Sequence, residues 1–200
     1  MNRPRAYSIV TLNELTQKKP YRFGVELLQK VAFCNLILKG SVFLTASEEE
    51  VGEYMNGLAE RRSLPERVDG RPYRCLAVMD FGDRQRLQQY VEMLQSKHPI
   101  SFDWDINVDL AQAPPFGSAH TVLPTIIRNS KLYNMKEKRF FLPGELLSAH
   151  GVHPLVSSLV PDSLLQLCEG HPAKAHKMIG NSMCIPQVGA VLACTLLNFM

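Results

Sequence analysis

Met178-Ile179-Gly180-Asn181-Ser182-Met183-Cys184-Ile185-Pro186 sets a glycine and two short polar residues directly ahead of an apolar-striped tail. Gly180 permits a tight turn, and Asn181 and Ser182 offer compact donors and acceptors beside a helix N-terminus. From Ile185 to Met200, Val188, Val191, Leu192, Leu196 and Leu197 fall on one stripe, which predicts a final helix packed on a core. Small polar groups at such a turn suit a zwitterionic amino-acid ligand. Taken by themselves, Asn181 and Ser182 read as an ordinary turn and N-cap.

Upstream of that stretch, Leu142-Pro143-Gly144-Glu145-Leu146-Leu147 opens a short helix with proline in its first turn and Glu145 near its positive end, and Gly151 closes it. Residues 101–120, with Pro114-Pro115, Gly117 and three aspartates, read as an irregular connector and an inner boundary. Ahead of it, Asp83 is the expected N-cap of a helix carrying Leu87, Tyr90, Val91 and Leu94, with Pro99 just beyond. Cys75-Leu76-Ala77-Val78-Met79 reads as a buried strand. Ser47-Glu48-Glu49-Glu50 is a capping box that starts a helix bearing Val51, Tyr54, Met55 and Leu58, which ends near Arg61-Arg62 and is stopped by Leu64-Pro65. Val25 to Leu38 is apolar without clean periodicity, either one helix or a helix and a strand. The first element, Ala6-Tyr7-Ser8-Ile9-Val10-Thr11-Leu12, is apolar on both alternating faces, as a buried strand is. Arg3 and Arg5 precede it on one side of the extended backbone and can converge on one anion or polar ligand.

Composition sets the frame. Two hundred residues, 46% hydrophobic and 20% charged, describe a globular chain of one domain or one domain with a small partner, and exclude collagen, coiled coil and disorder. The five cysteines, an odd number with no Cys-x-x-Cys pair, point to reduced thiols in a nuclear or cytosolic compartment. No apolar run reaches the ~18 to 20 residues that span a bilayer, and no secretory signal is legible, so no membrane association is expected. A net charge of +3 with pI near 8.6 permits an anionic partner without demanding one.

Three pieces in this order resemble the C-terminal end of the cytosine-C5 DNA methyltransferases. Asn2-Arg3-Pro4-Arg5-Ala6-Tyr7-Ser8-Ile9-Val10 is similar to that family's motif VIII, an Arg-x-Arg leading into a hydrophobic strand. Leu123-Pro124-Thr125-Ile126-Ile127-Arg128-Asn129-Ser130, followed by Arg139-Phe140-Phe141-Leu142-Pro143-Gly144-Glu145-Leu146-Leu147 and Gly151, looks like motif IX. Met178 to Pro186 looks like motif X, in which a Gly-Asn-Ser turn opens the last helix. The resemblance implies an α/β fold: the C-terminal part of a Rossmann-like, S-adenosylmethionine-dependent methyltransferase with an α+β target-recognition region. Residues 1–12 would supply a strand of the methyltransferase domain, 13–118 the recognition region and 119–200 the C-terminal part of the methyltransferase domain.

The implied chemistry is methyl transfer from S-adenosylmethionine to C5 of a cytosine flipped out of double-stranded DNA. Arg5 matches the position that bonds the flipped base and Arg3 its neighbour; Gly180, Asn181 and Ser182 match the methionine end of the cofactor pocket. The family's Pro-Cys nucleophile, its Glu-Asn-Val and its Gly-rich loop do not occur in these residues. The chain is therefore expected to be inactive alone, with the N-terminal catalytic half supplied in the same polypeptide or by a separate subunit. The location implied is the nucleus in a eukaryote and otherwise the cytoplasm. A second reading is a non-catalytic DNA-binding or interaction module derived from that fold.

Other candidates read more blandly. His150, His153, His171 and His176 have no Cys-x-x-Cys or His-Glu-x-x-His support, so they read as surface or loop histidines and no metal is expected. Cys184 and Cys194 read as small buried thiols. Arg61, Arg62, Arg67, Arg71 and Arg74, with Tyr73 among them, either track phosphates or form a solvated helix end interleaved with Glu60, Glu66 and Asp69.

Overall fold

The computed structural model describes residues 38–97, 105–114, 117, 119–151, 162–182, 189 and 192. Within them helices surround one small antiparallel sheet, an α/β composition overall. The expected strand at Ala6–Leu12, the undecided element at 25–37 and, apart from Gly189 and Leu192, the tail from 185 lie outside the described residues.

Helix α1 (Glu48–Arg61) begins at the predicted capping box: Glu50 N–H donates to Ser47 Oγ at 3.2 Å and Ser47 N–H to the Glu50 carboxylate at 2.7 Å. Met55 and Ala59 are buried, with Val51, Tyr54 and Leu58 packed about them, so the predicted face is the one that meets the core. The helix ends at Arg61, as expected, and a left-handed turn closes it. Ser63 turns left-handed at φ 53°, its N–H bonds Glu60 O at 2.9 Å, and Leu64 N–H reaches back to Ala59 O at 3.0 Å. This closure satisfies the last carbonyls before Pro65 is reached.

Cys75 to Val78, expected as a strand, is instead a one-turn helix, α2. Cys75 and Val78 are buried at i, i+3 while Leu76 and Ala77 face solvent, a helical division that alternation would not produce. Helix α3 (Phe81–Lys97) is capped by Asp80 rather than Asp83: Asp83 N–H donates to Asp80 Oδ1 at 2.7 Å. Asp83 itself is wholly buried in the first turn, where Lys131 Nζ donates to both carboxylate oxygens at 2.7 and 2.8 Å and Arg62 stands 3.8 Å away. One aspartate thereby ties α1 and α3 to the sheet. Burial pushes its carboxyl above the ordinary range, against the pull of Lys131. At the more open Asp80, burial also raises the carboxyl, but the Asp83 N–H and Lys131 prevail and hold it at about 2.

The stretch 101–120, expected to be irregular, contributes two strands. β1 (Asn107–Asp109) is an inner strand of a sheet ordered β2-β1-β3-β4, with β2 (Ala119–His120), β3 (Leu132–Asn134) and β4 (Arg139–Phe140) all joined antiparallel. Val108 sits opposite Ala119 and Tyr133, and Tyr133 opposite Phe140, whose rings meet edge to face at 5.9 Å. Asn107 and Asp109 flank Val108 in full burial because each is satisfied internally: Asn107 Nδ2 donates to Thr121 O, and Asp109 Oδ1 accepts the Ala111 and Lys131 N–H groups. Polar side chains in a buried strand are what hid it.

Helix α4 (Pro143–Ala149) forms as predicted, with Glu145 accepting Leu142 N–H at 2.9 Å and Gly151 closing the helix at φ 87°. Helices α5 (Asp162–Gly170) and α6 (Pro172–Asn181) follow. Neighbouring residues of one strand point to opposite faces of the sheet, and the core divides accordingly. Tyr133 joins Met55, Val78, Tyr90 and Val108 beneath α1–α3, while Leu132 joins Ile126, Phe141, Leu146 and Ile179 beneath α4 and α6. No described helix is long and apolar enough to cross a membrane.

Candidate functional site

The two blocks that resemble motifs IX and X meet through α4 and α6. Gly180 and Asn181 are the last residues of α6 and Ser182 is its C-cap, so Gly180 is helical where a tight turn was expected, and the start of the helix expected to follow lies outside the described residues. Gly180 serves close approach instead of a bend. A Cβ there would stand 2.5 Å from Arg128 Cα and fall deeper still into the Ile127 carbonyl. Only a hydrogen at this position lets the helix end lie on the 127–128 backbone.

Ser182 Oγ donates to Ile179 O at 2.7 Å and lies 3.2 Å from Nδ1 of His150, the C-cap of α4. The Ser182 hydroxyl and the His150 ring thus meet at hydrogen-bond distance where the two helices end. His150 is buried, not the surface histidine expected, because it occupies this junction. Asn181 is exposed, and its amide makes no side-chain hydrogen bond among the described residues. Of the three expected cofactor residues, Asn181 thus has uncommitted polar atoms, Ser182 is engaged locally and Gly180 is sealed by backbone. Arg3 and Arg5 lie outside the described residues.

At the other end of α4, the Arg139 guanidinium grips Glu145 in two bonds of 2.7 and 2.9 Å; Glu145 also accepts Ala46 N–H at 3.0 Å. The side chains are 12% and 3% exposed, so the pair is desolvated and hydrogen-bonded on both sides. His176, on α6, buries Nε2 with no hydrogen-bond partner among the described residues, and burial lowers its pKa so that the ring stays neutral. It too is no surface histidine. Among the described residues no three His, Cys, Asp or Glu side chains gather as metal ligands.

The arginines between Arg61 and Arg74 divide into two sets. Arg62 is committed to Asp80, Asp83 and the Val78 carbonyl, and Arg67 to Asp69, with its guanidinium 5.9 Å from the Tyr73 ring centre. Arg61, Arg71 and Arg74 face solvent. Sequence reasoning missed the 127–128 backbone and His150 as the partners of Gly180 and Ser182. The pairing of Ala175 with Ile179 at i, i+4 behind Pro172 was the signal for the helix that ends there.

Compared with known proteins, the chain matches no family model, no curated protein and no solved structure.

Proposed function

We propose that the chain is the target-recognition and C-terminal cofactor-closing part of a cytosine-C5 DNA methyltransferase, belonging to a Rossmann-like domain whose catalytic half is supplied elsewhere. One observation carries the reading. The blocks resembling motifs IX and X, far apart in sequence, meet at Gly180 on Ile127–Arg128 and at Ser182 on His150. A shared wall of this kind is what a cofactor-closing segment requires.

On this reading Asn181 presents its free amide to the amino-acid end of S-adenosylmethionine. Ser182 and His150 fix the helix end that carries Asn181, and Gly180 sets its height above the 127–128 backbone. The cofactor, when bound, supplies the methyl group. Arg3 and Arg5 are the proposed holders of the flipped cytosine, through charge-assisted hydrogen bonds worth roughly 1.5–3 kcal/mol each. The Pro-Cys nucleophile absent from these residues belongs to the missing half.

The test combines the full chain with a cytosine-C5 methyltransferase segment carrying Pro-Cys, Glu-Asn-Val and the Gly-rich loop, and measures duplex binding, cofactor affinity and tritiated methyl transfer. The expected result is duplex binding by the chain alone, with cofactor affinity and methyl transfer gained on mixing and abolished by Arg5→Ala. A chain that binds duplex and never gains cofactor affinity is the non-catalytic module; one that binds neither overturns both readings.

A further inference from the structure

Between the C-terminal end of α1 and the start of α6 lies an open cleft of about 390 Å³. Arg61 lines it from one side, and His171, Pro172, Lys174 and Lys177 from the other. Among the described residues no carboxylate contributes to the lining. Arg61, Lys174 and Lys177 form no ion pair among the described residues, whereas the adjacent Arg62 is committed to Asp80 and Asp83. Lys174 and Lys177 are three apart on α6 and both exposed, so they project from one face of the helix. Arg61 reaches the same cleft from a helix more than a hundred residues earlier. Folding has brought three cations from two distant segments to one concave surface, none of them ion-paired among the described residues. Like charges held together this way repel, and an anion relieves them.

We propose that this cleft seats the phosphodiester backbone of duplex DNA, anchoring the strand by sequence-independent contacts of Arg61, Lys174 and Lys177. The proposal rests on the DNA-binding reading above and adds where the backbone is held. A duplex presents successive phosphates along a strand, which suits two lysines one helical turn apart and an arginine facing them. With Arg61, Lys174 and Lys177 engaged on phosphates, the contribution of the cleft is affinity and register.

Fluorescence anisotropy of a labelled 20-bp duplex, titrated with the full chain over a range of KCl concentrations, tests it. The triple variant Arg61→Gln/Lys174→Gln/Lys177→Gln is expected to bind at least tenfold more weakly at low salt, equally for unrelated sequences. Its log K against log salt slope should be shallower by roughly 3, about one for each phosphate that is no longer neutralised. The control Lys39→Gln/Arg84→Gln/Lys136→Gln removes the same charge from exposed positions elsewhere and should change the slope by less than one. An unchanged slope in the first variant, or an equal change in the control, overturns the site while leaving the DNA-binding reading intact. Absence of duplex binding by the unaltered chain overturns both, and displacement of the duplex by an equal-length single-stranded RNA at lower concentration assigns the cleft to another polymer.

Discussion

Replacing Gly180 with alanine isolates the packing that joins the two motif-like blocks. In an unobstructed helix interior, Gly→Ala adds roughly 1 kcal/mol of stability by limiting the unfolded chain and favouring helix. At Gly180 the new methyl has no such room, for it enters the Ile127 carbonyl and comes within 2.5 Å of Arg128 Cα. Those are main-chain atoms, which cannot rotate aside, so the cost belongs at the upper end of the ~1–3 kcal/mol typical of overpacking. The net expectation is a loss of about 2 kcal/mol, or ~4–8 °C in Tm for a chain of this size. Gly57, in the middle of α1, supplies the internal contrast: a Cβ there meets nothing within 4 Å, so Gly57→Ala should gain about 0.5–1 kcal/mol. Urea unfolding followed by circular dichroism measures both. If Gly180→Ala is as stable as the parent, or the two variants shift in the same direction, the helix end does not rest on the 127–128 backbone and the proposed wall falls with it.

Three further expectations follow from the same physics. Arg139→Met strands the buried Glu145 carboxylate and should cost about 3 kcal/mol in urea unfolding, far above the ~0–1 kcal/mol of a surface pair. Ser47→Ala removes one half of the α1 capping box and should cost about 1 kcal/mol, checked by the same unfolding curve. Burial holds the His176 pKa below its ordinary 6.5, so its stabilising contribution is present above pH 6.5 and lost as pH falls through the folded value. The pH dependence of Tm between 7 and 5 should therefore be flatter in His176→Gln than in the parent, and an identical slope would remove the buried neutral imidazole from the account.

Sequence was informative wherever a short local pattern carries its own hydrogen bonds. The Ser47–Glu50 box and the Pro143–Glu145 helix start were legible because cap and acceptor lie three residues apart, and Gly151 because a left-handed closure favours glycine. Cys75–Val78 was not, since a short apolar run fits a strand or one helical turn and only tertiary burial chooses between them. Asp80 displaced Asp83 as the cap because Asp83 was wanted by Lys131, a partner 48 residues away. β1 stayed hidden because Asn107 and Asp109 draw their satisfaction from groups remote in sequence. At the candidate site the packing role of Gly180 could not be read, because what surrounds a glycine is a property of the fold.

The pairing of β1 with both β2 and β3 bears on any attempt to cut or splice this chain. A chimaera spliced at residue 118 would take β1 from one parent and β2 to β4 from the other, so the graft would have to rebuild the middle of a sheet from strangers. Junctions that carry residues 105–140 across as one cassette keep every strand with its own neighbours, and exchanges made that way should yield soluble hybrids where the shorter exchange gives aggregates.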